Sequence, residues 1–294
     1  MEEKIINGTE LSNFIKENIK QKVSEYSAKN NKIPCLAVII VGNNPASQIY
    51  VKNKEKACNK CGIKSLKYEL AETTSEKEVL DLINTLNTDD EVNGILVQLP
   101  LPPQINEKKI INFINPIKDV DCFHPINIGK VFVGDFDFNT SMLPCTPKGC
   151  VKLIKSKLGD KLDGKKVCVI GRSNIVGKPV AQLLLQENCT VKLTHSKTSN
   201  LKEETLWADI IISSVGKPKI ITADMVKENT TIIDVGINRV GDKLCGDIDF
   251  DNIIHKAQYI TPVPGGVGPM TIACLMENVY NAFIQQNTTT KSNN

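Results

Sequence analysis

The chain has 294 residues, 41% of them apolar, with 36 basic and 33 acidic side chains and a net charge of +3. That size allows one large or two ordinary domains, and that apolar fraction excludes a disordered chain. The near balance of scattered charges argues against nucleic acid as the main partner. The longest apolar run, "LAVIIV", is far too short to cross a membrane. The opening "MEEKIINGTELSNF" holds no apolar stretch of signal-peptide length, so the expected location is cytoplasmic.

Strand-like and helix-like segments alternate along the chain. "CLAVIIVG" (35–42) is a continuous β-branched run, the pattern of a strand buried on both faces. In the helix-like segment after it, Asn44 is placed to N-cap, Pro45 to occupy the first turn and Gly62 to end the helix. "IKSLKYEL" reads as a strand, "SEKEVLDLINTLN" as an amphipathic helix, "GILVQLPL" (94–101) as a strand and "NEKKIINFI" as a helix. This βαβαβ pattern implies a parallel sheet covered by helices. "NPIKDVDCFHPINIGKVFVGD" then breaks the rhythm, and long irregular segments in compact domains tend to be functional. The alternation restarts after "PCTPKGCVKLIKSKL", with strands read at 165–171, 190–195, 209–216, 230–236 and 257–263.

The fold class is therefore α/β in two lobes. Residues 1–144 form the first, to which a final helix over 270–288 returns; residues 145–269 form the second. The tail at 289–294 ends the polar run "QQNTTTKSNN" and is expected to be disordered. Most of the ten cysteines lie in apolar runs, as small hydrophobes do. Cys58 and Cys61 form a C-x-x-C, but no second pair answers it, so no metal site is expected.

Three constellations carry chemistry. In "VCVIGRSNIVGKPVAQLLL", Gly171 ends a strand and Gly177 opens a helix, as where backbone approaches a pyrophosphate. Ser173 stands where the dinucleotide fingerprint has its middle glycine, and the spacing is longer, so an ordinary βα turn stays open as a reading. The next strand ends in "THSKT". An acid for a ribose 2′-hydroxyl is missing there; Ser196 and Lys197 stand instead, with Arg172 in the first turn. Hydroxyl and cationic donors suit a 2′-phosphate and favour NADP over NAD, unless Lys197 is merely solvated.

In the first lobe, Ser47, Tyr50 and Lys54 share one helical face, while Lys52 and Lys56 point elsewhere. Gln98 lies at the carboxyl end of a strand and Asp121 in the irregular loop. Such ends are where open α/β sheets bind ligands. Lysine acts as acid or base where its surroundings weaken its hold on the proton; a surface lysine beside a half-buried tyrosine is the bland alternative. Finally, "PVPGGVGPMT" (262–271) puts three prolines and three glycines between a strand and a helix. Glycines allow close backbone approach and prolines limit the entropy lost on ordering. A rigid connector would have the same composition.

Four stretches together, "NPASQIYVKNKEKAC", "GILVQLPLP", "KDVDCFHPINIGK" with "PCTPKG", and "PVPGGVGPMT", closely resemble the methylenetetrahydrofolate dehydrogenase/cyclohydrolase family, in that family's order. "GRSNIVGKPV" and "HSKT" fall between them where expected, so the resemblance covers all but the tail. It implies an N-terminal three-layer α/β catalytic lobe, a Rossmann-type NADP-binding lobe, a cleft between them and a homodimer. The implied reactions are NADP-dependent oxidation of 5,10-methylenetetrahydrofolate and hydrolysis of the methenyl product to 10-formyltetrahydrofolate.

By the same resemblance, Lys54 would be the key residue of hydrolysis, assisted by Gln98, with Tyr50 packed on the folate rings and Asp121 bonded to the pterin edge. Val97, Leu99, Pro262, Pro264, Gly265 and Gly266 would complete the substrate contacts. Gly171, Arg172, Ser173, Ser196, Ile237, Gly268 and Thr271 would hold the cofactor. One departure stands out: the family usually has glycine where this chain has Cys122. Its side chain either crowds the pterin pocket or points away. A monofunctional dehydrogenase and a non-catalytic folate- or nucleotide-binding module are the competing readings; retention of Lys54, Gln98 and Asp121 disfavours both.

Overall fold

A computed structural model describes residues 2–241 and 243–289. The chain divides into two compact units, Met1–Ser12 with Cys145–Thr271 and Asn13–Pro144 with Ile272–Asn294. Both are α/β units built on parallel sheets.

The first helix, α1 (Gly8–Asn30), is absent from the strand and helix alternation read above. Its signal is nevertheless in the sequence: Ile15, Ile19 and Val23 recur every fourth residue and all are buried. Strand β1 (Cys35–Val41) is buried at every position. Helix α2 (Pro45–Cys61) starts where Asn44 Oδ1 accepts from Ser47 N and stops at Gly62 in the left-handed conformation. Strand β2 (Lys64–Leu70) pairs in parallel with β1. Helix α3 (Glu76–Thr88) opens with a reciprocal capping box between Ser75 and Glu78. Strand β3 (Gly94–Val97) pairs with the other edge of β1. One face of β1, through Cys35, Ala37, Ile39 and Val41, packs on Val79, Ile83 and Leu86 of α3 and on Ile95, Val97, Ile110 and Ile114.

The strand expected over 94–101 ends at Val97. Gln98 N donates the last ladder bond to Ile39 O at 2.8 Å, and Pro100 and Pro102 have no N–H to prolong the ladder. After α4 (Glu107–Phe113), the irregular segment touches β3 through one parallel bridge, Ile95 to Asp119, and then forms α5 (Pro125–Val133). His124 caps α5: its Nδ1 accepts from Ile126 N, so its Nε2–H donates to Asn112 O.

The other unit runs α6 (Cys145–Leu158), β4 (Lys166–Ile170), α7 (Gly177–Gln186), β5 (Thr190–Thr194), α8 (Leu201–Trp207), β6 (Ile210–Ser213) and β7 (Thr231–Asp234). A hairpin of β8 (Asn238–Val240) and β9 (Lys243–Cys245) follows, then α9 (Phe250–Ile253) and β10 (Tyr259–Ile260). The sheet is parallel, in the order β5-β4-β6-β7-β10. Strand order reverses between β4 and β6, the switch point at which doubly wound sheets bind ligands. The strand read over 257–263 shrinks to two residues, because Pro262 and Pro264 cannot donate. Residues 1–12, counted above with the first lobe, cluster with this unit: Ile6 N donates to Ile260 O at 2.9 Å and uses the open edge of β10.

The last helix, α10 (Val267–Thr289), begins before the expected 270 and ends at 289. The remainder of the expected tail, 290–294, lies outside the described residues. Within the Asn13–Pro144 unit this helix holds the irregular segment. Fully buried Asn278 donates through Nδ2 to Val120 O (2.8 Å) and Leu143 O (2.7 Å). All ten cysteines are free thiols, nine of them buried. Burial pushes the Cys58 thiol up to about 12 and Cys61 to about 11. Among the described residues no helix is long and apolar enough to cross a membrane, and no three His, Cys, Asp or Glu gather as metal ligands do.

Asn278→Leu keeps the volume but takes the amide donor away from two buried carbonyls. At about 1–3 kcal/mol for each unsatisfied group, urea unfolding should show a loss of about 2–6 kcal/mol; a loss under about 0.5 kcal/mol would mean that the segment does not depend on this clamp.

Candidate active site

Lys54 and Gln98 come together. Lys54, half-buried on α2, donates from Nζ to Gln98 Oε1 at 3.0 Å. Gln98 Nε2 in turn donates to Leu99 O at 2.7 Å, which fixes the amide with its oxygen toward the lysine. Tyr50, one turn before Lys54, is 40% exposed and offers its ring to solvent. Lys52 and Lys56 are exposed, and Val97 is buried at the end of β3.

Asp121 is half-buried in the turn after the Ile95–Asp119 bridge. The preceding acid, Asp119, shapes that turn. It is 2% exposed and accepts from Phe123 N (3.3 Å), His124 N (2.8 Å) and Asn127 Nδ2 (2.9 Å). Burial pushes its carboxyl up, against those three donors. Sequence reasoning missed it, because an acid in a polar loop looks like a surface group. Cys122 adopts φ +58°. That left-handed conformation costs a side-chain-bearing residue about 1–2 kcal/mol. The thiol is fully buried and donates to Met142 O at 3.4 Å, so the side chain is turned into the protein.

In the other unit, the Gly171 turn lies at the β4–β6 switch point. A Cβ on Gly177 would overlap Gly171 O, and one on Gly171 would come within 2.7 Å of Ser214 O. Glycine is thus required where the two chain segments cross. Ser173 Oγ accepts from Val176 N (3.1 Å) and Gly177 N (3.2 Å), capping the start of α7 while its own O–H remains a donor. The neighbouring β5 brings the "THSKT" turn alongside, since Gly171 N donates to Thr194 O at 3.0 Å. That turn is closed by Thr198 Oγ1 and His195 Nδ1, which accept from His195 N and Lys197 N. Arg172, Ser173, Ser196 and Lys197 are all exposed there. A tight backbone crossing rimmed by hydroxyl and cationic donors, with no acid, fits a dinucleotide carrying a 2′-phosphate.

The proline-glycine loop lines a mainly apolar cavity of about 410 Å³ together with the end of β7. Ile237, Pro262, Pro264, Gly265, Gly266 and Gly268 all border it. A Cβ on Gly266 would lie 2.6 Å from Pro262 O, so the loop is folded on itself. The start of α1 supports it: Thr9 N donates to Gly265 O at 3.0 Å, and Gly8 packs on Gly266 with no room for a methyl group. Thr271 does not border the cavity; its hydroxyl shares a 2.9 Å hydrogen bond with Thr146 Oγ1. Two buried acids behind this loop, Asp234 and Asp247, were also missed by sequence reasoning. The available signal was an acid closing the apolar run "TTIID".

A doubly wound sheet with a glycine turn at its switch point defines a dinucleotide-binding α/β enzyme. Residues 6–121 match the family model described as the tetrahydrofolate dehydrogenase/cyclohydrolase catalytic domain, and residues 144–287 match that family's NAD(P)-binding domain. The bifunctional protein FolD of Acetivibrio thermocellus is 53% identical over 96% of this chain and 97% of its own. The crystal structure of the bifunctional enzyme FolD, methylenetetrahydrofolate dehydrogenase/cyclohydrolase, from Campylobacter jejuni is 51% identical with a TM-score of 0.92, over 96% of this chain and 99% of that one. The Trypanosoma brucei enzyme, solved with NADP cofactor and an inhibitor, is 33% identical with a TM-score of 0.91, over 96% and 97% of the two chains. The chain belongs to the tetrahydrofolate dehydrogenase/cyclohydrolase family.

Burial, with Asp247 adjacent, raises the Asp234 carboxyl from 3.8 to about 6. Its contribution is fully present below pH 4, where both folded and unfolded forms are protonated, and is lost as pH rises through 6. The loss amounts to about 3 kcal/mol by pH 7. Urea unfolding of the wild type and Asp234→Asn should therefore give a stability difference that shifts against the wild type between pH 4.5 and 7, roughly the window of that titration. A flat difference would show Asp234 to be ionised throughout.

Proposed function

We propose that this enzyme performs both reactions of its family on one folate. It oxidises 5,10-methylenetetrahydrofolate to the 5,10-methenyl form with NADP+, and it hydrolyses that form to 10-formyltetrahydrofolate. The observation that carries the hydrolytic half is the Lys54–Gln98 hydrogen bond of 3.0 Å at the carboxyl end of β3.

The methenyl carbon is a cation flanked by two nitrogens, so water attacks it once a base takes the proton. The Lys54 amine is that base. Water oxygen bonds to the carbon and one of its protons passes to Nζ; the resulting ammonium donates to the ring nitrogen as the C–N bond breaks, and the remaining hydroxyl proton leaves to solvent as the formyl C=O forms. Gln98 aims the amine through both steps. Tyr50 supplies a flat ring for the folate, and Asp121 an acceptor for the N–H groups of the pterin edge. Val97 and Leu99 flank Gln98.

Gly171, Arg172, Ser173 and Ser196 are the groups that would hold the cofactor's phosphates, and Ile237 with Gly268 would border its nicotinamide end. NADP+, when bound, supplies the hydride acceptor. Pro262, Pro264, Gly265 and Gly266 keep the cavity wall stiff and free of side chains, which suits flat ligands. No proton transfer by the protein is needed for the oxidation, only alignment and exclusion of water.

A cytoplasmic homodimer is the assembly we favour. Membership of the family is what supports a second copy. Light scattering should return twice the chain mass; a monomer at micromolar concentration would refute the assembly.

Lys54→Gln should lower hydrolysis by about 10²–10⁴ fold while folate binding changes by less than about threefold. Undiminished hydrolysis would show that Lys54 is not the base. NADPH formation from methylenetetrahydrofolate, followed by absorbance, tests the oxidation directly.

A further inference from the structure

We infer that Asp247 is a positioning residue for the cofactor: one buried carboxylate locks the loop after β6, the loop after β7 and the β8–β9 hairpin into a single frame. The inference rests on reading the β4–β6 switch point as the cofactor site.

Asp247 is fully buried and is surrounded by donors. Its Oδ2 accepts from Ser213 Oγ (3.0 Å), Val215 N (2.8 Å) and Gly216 N (3.3 Å). Its Oδ1 accepts from Lys217 N (2.9 Å) and from Asn238 Nδ2 (3.1 Å). Three successive backbone N–H groups turned toward one carboxylate form a nest, the concavity that proteins use to bind anions. In this chain the anion is a side chain of its own. Asn238 brings the first residue of the hairpin into the same cluster.

A second acid holds Asp247 in turn. Asp234 accepts from Gly236 N (3.1 Å), Asp247 N (3.0 Å) and Ile248 N (3.0 Å). The two carboxylates occupy the space that side chains at 236 and 246 would need: a Cβ on Gly236 would overlap the Asp247 carboxylate, and one on Gly246 that of Asp234.

These loops meet the cofactor groups. Ser214, immediately before the nest, donates from N to Ile170 O at 2.9 Å and packs against Gly171. Gly236 and Ile237 border the 410 Å³ cavity. One carboxylate therefore sets the positions of backbone segments beside both the glycine turn and the cavity. An amide could not replace it. Asn has one acceptor oxygen, and its NH₂ would face either Val215 N and Gly216 N or Lys217 N and Asn238 Nδ2, donor against donor. The loop after β6 would have to open.

The test is the balance of the two activities in Asp247→Asn. Its Kd for NADP(H), from the fluorescence of added NADPH, and its KM for NADP+ should rise about tenfold or more. Hydrolysis of the methenyl substrate, assayed without cofactor, should fall by less than about threefold. Unchanged cofactor affinity, or a proportional fall in both activities, overturns the inference. Arg172→Ala and Ser173→Ala, measured alongside, separate it from the reading beneath it. If they leave NADP+ affinity intact, the cofactor site is misplaced; if they weaken it and Asp247→Asn does not, only the role of Asp247 fails. Should Asp247→Asn not fold, Ser213→Ala removes one donor and leaves the carboxylate. It should raise the KM for NADP+ about threefold at unchanged hydrolysis, and no change overturns the inference.

Discussion

Wherever a parallel strand ends, the next few backbone N–H groups lose their ladder partners, and if the loop stays buried something else must accept from them. This chain supplies side-chain oxygens. Asp119 accepts from Phe123 and His124, Asp234 and Asp247 from six backbone N–H groups between them, and Ser173 from Val176 and Gly177. The groups proposed above for substrate and cofactor ride on the loops shaped in this way. Asp121 follows Asp119 in its turn, and Ile237 sits between Gly236 and Asn238, both tied to buried acids. The loops of the proposed site are thus fixed by buried acceptors before any ligand arrives, as preorganised sites require.

Chemistry written within one turn of chain could be read from the sequence. Asn44, Pro45 and Gly62 bound α2 because each acts on its own backbone, and the spacing of Tyr50 and Lys54 follows once the helix is placed. The glycines of the 171–177 turn were legible because no other residue fits the crossing. The contact of Lys54 with Gln98 joins residues 44 apart, and only their positions at strand and helix ends pointed to it.

The buried acids were not legible, because their surroundings come from far along the chain. Asp247 takes donors from residues 213 to 238, and nothing near "CGDIDF" announces that it is inside. Strand ends were overestimated at 94–101 and 257–263 for a related reason: apolar residues continue past the last ladder bond, while prolines decide where the ladder stops. The attachment of residues 1–12 to the later unit depends on an open strand edge that appears only once β10 has formed.

The thiols form a further pattern. Nine are shut away, and those of Cys35, Cys58, Cys61, Cys168 and Cys189 are held as unreactive S–H by their apolar surroundings. Cys245 alone is half-open to solvent, on the hairpin that Asn238 fastens to the buried acids. A maleimide dye applied to the native enzyme thus has a single address, and the molecule comes with its own attachment point for watching that hairpin by fluorescence while ligands come and go.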